Sequence, residues 1–329
     1  MTLAAELPTP AELLAARAFL ASRHPPTPLT PSPALGERYG CTVYVKHETM
    51  GPVRSFKARG PLYALAQLSP DERARGVVTA STGNHGQGVA YAGATVDTPV
   101  TVLAPAATPR VKADAMRRFG ADLRLVDGDL SHAVAEARQL AADSGGRYVE
   151  DGEDRDLMAG VASVGFEILE QCPAVDTILA PVGGGNLLSG IALAARRLNP
   201  DVAIVGVQSD AAPAAARSYA ARRLVEAPCA TFAGGLATSV PGSLALRAML
   251  DLVDDVVLVS DADLRRQLVA MLEAPGVLAE GAAAAPFAAL AADPGRFRGR
   301  TVALVLSGSN IDPEELRGLL GASHTAAAP

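Results

Sequence analysis

This sequence predicts an α/β fold: two open, twisted, mainly parallel sheets flanked by helices, with a cleft between them. Short apolar or β-branched runs alternate with helical stretches of roughly 10–15 residues, which implies parallel strands joined by right-handed crossovers. That alternation runs from Gly76 to Val149 and restarts at residue 155. The chain has 329 residues, 49% hydrophobic and 19% charged, enough for one large or two medium domains with a sizeable core.

The elements follow in order. Thr9-Pro10-Ala11-Glu12 has the capping-box pattern with proline at the first helical position, so a helix is expected over 10–22. Residues 25–33 form a proline-rich extended connector, and Ser32-Pro33 opens a short helix that Gly40 closes. Residues 41–47 alternate and read as a strand. Strands at 76–81, 100–104, 122–126 and 147–149 are separated by helices at 84–94, 109–119 and 131–144. A long helix over 155–171 precedes strands at 177–182, 203–208, 255–259 and 301–306. The pattern leaves open which half holds the first strand and the N-terminal helices. Residues 322–329 read as a frayed tail.

Composition narrows the partners. The net charge is −6, from 29 basic and 35 acidic residues, and no basic run is interleaved with aromatics. Nucleic acid and anionic membrane surfaces are therefore not expected. Cys41, Cys172 and Cys229 are far apart and form no CxxC, so a reducing, cytoplasmic setting is expected rather than a disulfide or zinc framework. The first residues lack the basic and apolar regions of a signal peptide, and the Ala-rich run 281–292 is too short to span a bilayer.

Four stretches carry chemistry. Gly183-Gly184-Gly185-Asn186-Leu187 links a strand to a helix, where backbone N–H groups and the helix dipole suit a phosphate. The plainer reading is a tight turn, but three glycines exceed what a turn needs. The dinucleotide fingerprint fails at Leu188, and no Walker lysine follows. Ser81-Thr82-Gly83-Asn84-His85 also lies at a strand end entering a helix, as a carboxylate site or as a simple N-cap with a local histidine. Lys57, after Phe56, falls in the first turn of a helix, where the dipole and burial disfavour a cation; a neutral lysine amine can form a Schiff base. A lone lysine there is otherwise an ordinary solvated charge. Ser307-Gly308-Ser309-Asn310 ends the last strand and alone reads as a turn.

Taken together, in this order and spacing, these stretches resemble the fold-type II pyridoxal-phosphate enzymes of the serine/threonine dehydratase and serine racemase family. The resemblance runs from Thr27 to about Gly321 and includes Ala279-Glu280-Gly281-Ala282. It implies pyridoxal 5'-phosphate in the interdomain cleft, with residues 1–75 and 149–329 as the large cofactor-binding domain and 76–148 as a small, mobile substrate-loop domain. It implies that Lys57 forms the internal aldimine and removes the substrate α-proton, with Phe56 beside the ring and Asn84 on the phenolic oxygen. Gly183, Gly184, Gly185, Asn186 and Leu187 would bind the phosphate, Ser307 would meet the ring nitrogen, and Glu280 would lie near the cofactor. Ser81, Thr82, Gly83, Asn84 and His85 would line the substrate carboxylate site. The implied reaction is β-elimination from a β-hydroxy amino acid such as L-threonine or L-serine, giving a 2-oxo acid and ammonia, because a neutral hydroxyl at Ser307 does not stabilise a long-lived carbanion. The family's habit is a homodimer or higher homo-oligomer.

The departures bear on substrate. Asn186 replaces a usual fourth glycine, Thr82 stands where racemases carry Ser, and Gly234 stands where relatives often carry Asp. A racemase, or a dehydratase for a bulkier hydroxy amino acid such as one in hydroxyectoine breakdown, is the alternative these residues raise. The acids of the relatives' divalent-cation site correspond to Gln208 and Ala214, with Asp210 as an outlier, so no metal is expected. The length beyond the last helix leaves no regulatory domain of the biosynthetic kind to be expected. A ligand sensor that keeps the pocket without catalysis is the reading from another class, opposed by Lys57, Asn84 and Ser307 occurring together.

Overall fold

The computed structural model describes residues 6–325. Its strands are β1 (Leu29–Pro31), β2 (Thr42–His47), β3 (Val77–Ala80), β4 (Val100–Pro105), β5 (Asp122–Val126), β6 (Arg147–Tyr148), β7 (Thr177–Pro181), β8 (Ala203–Ser209), β9 (Asp255–Val259) and β10 (Thr301–Leu306). They form a six-stranded sheet of order β1-β2-β10-β7-β8-β9 and a four-stranded sheet of order β5-β4-β3-β6. Every pairing is parallel except β1 with β2.

Strands β7, β8 and β10 are buried almost throughout, as parallel strands covered by helices on both faces must be. One apolar cluster, including Leu179, Val205, Phe287 and Leu304, packs one face of the larger sheet. A second, including Ile178, Ile204, Ile191 and Val305, packs the other. The smaller sheet has its own cluster around Leu62, Val77, Val102 and Met116.

Local chemistry accounts for the element ends. Thr9 and Glu12 form the expected capping box on helix Pro10–Ala21. Gly40, at φ 68°, ends helix Pro33–Tyr39, although Ser32 makes no side-chain cap. Three of the expected elements come out differently, and helices such as Pro70–Arg75, Ser243–Leu252 and Asp261–Glu273 were not expected. The extended connector contains β1, whose three residues are too few to show alternation. The single helix expected over 155–171 is two segments, Arg155–Val161 and Ser163–Gln171. At the C-terminus, helix Pro313–Thr325 continues into the expected frayed tail; residues 326–329, like Met1 to Ala5, lie outside the described residues.

A buried ion network joins the elements that lead to Lys57. Arg59, fully buried, donates from Nε and Nη2 to Glu48 at 2.7 and 2.9 Å, and from Nη1 and Nη2 to Glu167 at 2.5 and 2.8 Å. Its remaining Nη1 donor reaches Ser163 Oγ at 3.0 Å, and Nη2 also lies 3.2 Å from Thr27 Oγ1. Lys46 Nζ completes the charge balance, 2.6 Å from Glu167 Oε2 and 2.7 Å from Thr27 O. Two cations face two carboxylates, and the guanidinium fork is fully used. Burial pushes the Glu48 carboxyl up, but Arg59 and Lys46 more than reverse it and hold it below the usual carboxylate range. Removing one member leaves charges stranded in the interior. Arg59→Met should therefore destabilise the fold by about 3–5 kcal/mol, read as a lowered urea midpoint with an unchanged slope.

Candidate active site

The site gathers at the carboxyl ends of strands from both sheets, where open α/β sheets bind ligands. From β2 the chain passes through a 3-10 turn, Glu48–Met50, and Arg54 adopts φ 52° to turn it inward. Ser55 then pairs with Gly308 in an isolated antiparallel bridge, just past β10. Phe56 N donates to Ser307 O at 3.1 Å, Ser309 N to Arg54 O at 3.0 Å, and Glu280 N to Gly308 O at 3.1 Å. Backbone bonds thus bring the lysine, serine and glutamate stretches together.

Lys57 lies in the 3-10 turn Phe56–Ala58, directly before helix Arg59–Ala66, close to its expected place in a first helical turn. Helix Asn84–Thr95 presses on this turn through Gly88, where an added Cβ would fall 2.1 Å from Lys57 O. Gly88 was not evident from sequence, because its close approach is to a residue far along the chain. The carbonyl it faces cannot swing aside as a side chain would. Gly88→Ala should displace the Lys57 turn and cost at least about 1–3 kcal/mol, measurable by thermal melting.

The glycine loop follows β7. Gly185 takes φ 98°, and an added Cβ on Gly183 would meet Gly235 O at 2.4 Å, so turn geometry and close packing explain those two. Gly184 has open space: only Asp151 lies within 4 Å of an added Cβ, with Oδ2 at 3.6 Å. No side chain caps helix Asn186–Leu198, which leaves a bare helix start, while Leu187 and Leu188 anchor it in the core.

The loop after β3 is not a simple cap. Helix Asn84–Thr95 begins at Gly83 with no side-chain cap, and Ser81 Oγ instead accepts from Gly83 N at 3.1 Å. Thr82 is half-buried beside it. Asn84 is held at both ends, donating to Glu280 Oε1 at 2.7 Å and accepting from Asn310 Nδ2 at 2.8 Å. Burial pushes the Glu280 carboxyl above its ordinary value despite the Asn84 bond. His85 is buried, its Nε2 3.5 Å from Val149 O and its Nδ1 without a partner.

Lys57 Nζ sits 4.8 Å from the Phe56 ring centroid and 2.5 Å from Asp151 Oδ2. Asn186 Nδ2 donates to Asp151 Oδ1 at 3.1 Å. Asp151 was not read as a site residue, because Glu150-Asp151-Gly152-Glu153-Asp154 looks like a solvated acidic loop; its place just past β6 is the signal that could have found it. Gly234 is exposed, and an added Cβ there would lie 3.7 Å from Lys112 Nζ. Gln208 is buried, its Oε1 accepting from Ala216 N at 2.9 Å and its Nε2 without a partner, and Asp210 is exposed. Among the described residues no group of three or more His, Cys, Asp or Glu could hold a metal.

A lysine whose turn is tied by backbone to a strand-end serine, with a glycine-rich helix start nearby and two mainly parallel sheets around them, is the arrangement of a fold-type II cofactor enzyme. The family model "Pyridoxal-phosphate dependent enzyme" matches residues 21–308, and the chain belongs to that family. The chain is 39% identical over 308 residues to an L-threonine ammonia-lyase of Geobacter sulfurreducens, covering 91% of this chain and 76% of that protein. It is also similar to the processed form of threonine deaminase isoform 2 from Solanum lycopersicum (TM-score 0.89, 28% identical, covering 96% of this chain and 94% of that one). Maize serine racemase is equally close in fold (TM-score 0.89, 27% identical, 96% and 98% covered). The residues present fit pyridoxal phosphate: Gly184 leaves room before an uncapped helix start, Lys57 is 13% exposed, and Ser307 ends a buried strand.

Burial lowers the His85 imidazole to about 4, with Lys57 adding to the effect and Asp151 opposing it. His85 is therefore neutral at neutral pH. Since the unfolded histidine titrates near 6.5, the unfolded state binds more protons between pH 6.5 and 4. Stability should fall by up to about 3 kcal/mol as pH drops through that window, and be flat above it. His85→Asn should remove that part of the slope in urea titrations at each pH.

Proposed function

We propose that this protein is an ammonia-lyase that removes water from a β-hydroxy amino acid, L-threonine first among them, yielding a 2-oxo acid and ammonia. The observation that carries the reading is Lys57 Nζ, set near the bare glycine-rich helix start and stapled through Phe56 to Ser307. The Geobacter sulfurreducens relative, an L-threonine ammonia-lyase, supports it. Pyridoxal phosphate, when bound, supplies the electron sink that makes the substrate Cα–H acidic.

The chain's own residues do the rest. Lys57 anchors the cofactor and takes the Cα proton at Nζ. The N–H groups of Gly183, Gly184, Gly185, Asn186 and Leu187 receive the phosphate, and Phe56 flanks the ring. Ser307 offers the ring nitrogen a neutral hydroxyl, which favours prompt loss of the β-hydroxyl. Asn84, fixed by Glu280 and Asn310, presents its amide to the cofactor. Ser81, Thr82, Gly83 and His85 receive the substrate carboxylate at the uncapped start of their helix. Gly234, open beside Lys112, leaves space around the substrate side chain.

We further infer a large cofactor domain of residues 1–75 and 149–329 and a small mobile domain of 76–148, in line with the division of strands between the two sheets. Three free cysteines suit a reducing cytoplasm, and a homo-oligomer follows the family's habit. No helix among the described residues is long and apolar enough to cross a membrane.

Lys57→Ala should lose the visible absorbance of the lysine-bound cofactor, and turnover should fall by at least about a hundredfold. The direct assay is 2-oxo acid release from L-threonine, L-serine and bulkier β-hydroxy amino acids. Full activity in the variant, or no release from any of these by the parent, would sink the reading.

A further inference from the structure

Asp151 stands at the reacting centre with no part in the reading above. Its Oδ2 lies 2.5 Å from Lys57 Nζ, its Oδ1 accepts from Asn186 at 3.1 Å, and it borders the open side of Gly184. The backbone beside it is clamped. Gly152, at φ 84°, packs against Gly184 and Gly242 with no room for a side chain, and its carbonyl accepts from Ala245 N at 3.1 Å. The carboxylate is therefore placed by packed backbone. With side chains 13% and 27% exposed, the pair is also less open to solvent than the exposed pairs along helix Arg110–Arg118.

We propose that Asp151 is a catalytic partner of Lys57, the carboxylate that holds the ammonium formed when Nζ takes the substrate Cα proton. The proposal rests on the lyase reading. In that step the Cα–H bond breaks, its electron pair stays with Cα, and the proton makes the third N–H bond of Nζ. A positive charge thus develops at an atom already facing a fixed carboxylate, which stabilises the transition state without reorganisation. When the Cβ–O bond breaks, its electron pair leaves on oxygen. The proton passes from Nζ to that oxygen, water departs, and the neutral amine is restored. Asp151 itself neither gains nor loses a proton. Burial pushes its carboxyl up, but the Lys57 ammonium and the hydrogen bonds from Lys57 and Asn186 more than reverse this and hold it below the usual carboxylate range.

Asp151→Asn keeps the size and removes the charge. In the holoenzyme, kcat should fall about tenfold to a hundredfold while KM changes less than about threefold. The primary isotope effect with Cα-deuterated substrate should rise, because proton transfer becomes more rate-limiting; a merely structural aspartate would not change it. In the cofactor-free protein, trace acetylation should modify Lys57 faster in the variant, read by peptide mass. Parental kcat, isotope effect and labelling rate in Asp151→Asn, beside an active parent, would overturn the role alone. An inactive parent would overturn the role together with the lyase reading, while the labelling rate would still report the pairing.

Discussion

Arg59 is the interaction on which the rest of the site depends. Its guanidinium binds Glu48 from the end of β2, Glu167 and Ser163 from helix Ser163–Gln171, and Thr27 from the N-terminal connector. It lies two residues after Lys57. The same buried charge that closes the core therefore fixes the turn carrying the amine. A buried ion network is weak evidence for net stability, since well-packed apolar residues often do as well. What it provides here is register: a bidentate fork facing two carboxylates tolerates one arrangement, and a lysine that must reach a cofactor needs one arrangement.

Glycines make the second constraint. Gly88 lets one helix touch Lys57 O, Gly183 lets the loop after β7 touch Gly235 O, and Gly152 lets the segment after β6 touch Gly184. Each close approach brings a strand end of one sheet or a neighbouring loop against another without a side chain between. The result is a cleft lined by backbone N–H groups and short polar side chains, which suits anionic groups on cofactor and substrate. The acids are held differently. Glu280 is half-buried with its carboxyl pushed up, whereas Asp151 faces Lys57 and is held down, so two carboxyl groups at one site have opposite electrostatics.

Much of this was legible in sequence, for local reasons. β7, β8 and β10 are continuous apolar runs because helices cover both faces, and such runs announce themselves. The glycine loop, the Ser81–His85 loop and the strand-end serine are each contiguous. β1 was missed because three residues ending in proline show no period. The partition into two sheets was not readable in detail, because pairing β10 between β2 and β7 is non-local. Gly88 and Asp151 escaped for the same reason: one is a helical glycine, the other an acid in an acidic run, until the fold places each against Lys57.

The site's charges also bear on how one lysine would serve the two tasks proposed for it. To join the cofactor, Nζ must be a free amine; to take a proton, it must then tolerate a positive charge. A neutral His85 nearby adds no competing cation, since burial keeps its imidazole uncharged. Ser307 adds no charge either. The balance at Nζ is therefore left chiefly to Asp151, itself restrained by Asn186. Asn186 directly follows the three glycines, and it is the residue that reaches this carboxylate. Asn186 and the acid that sequence did not single out thus form one unit, whose carboxylate faces the amine.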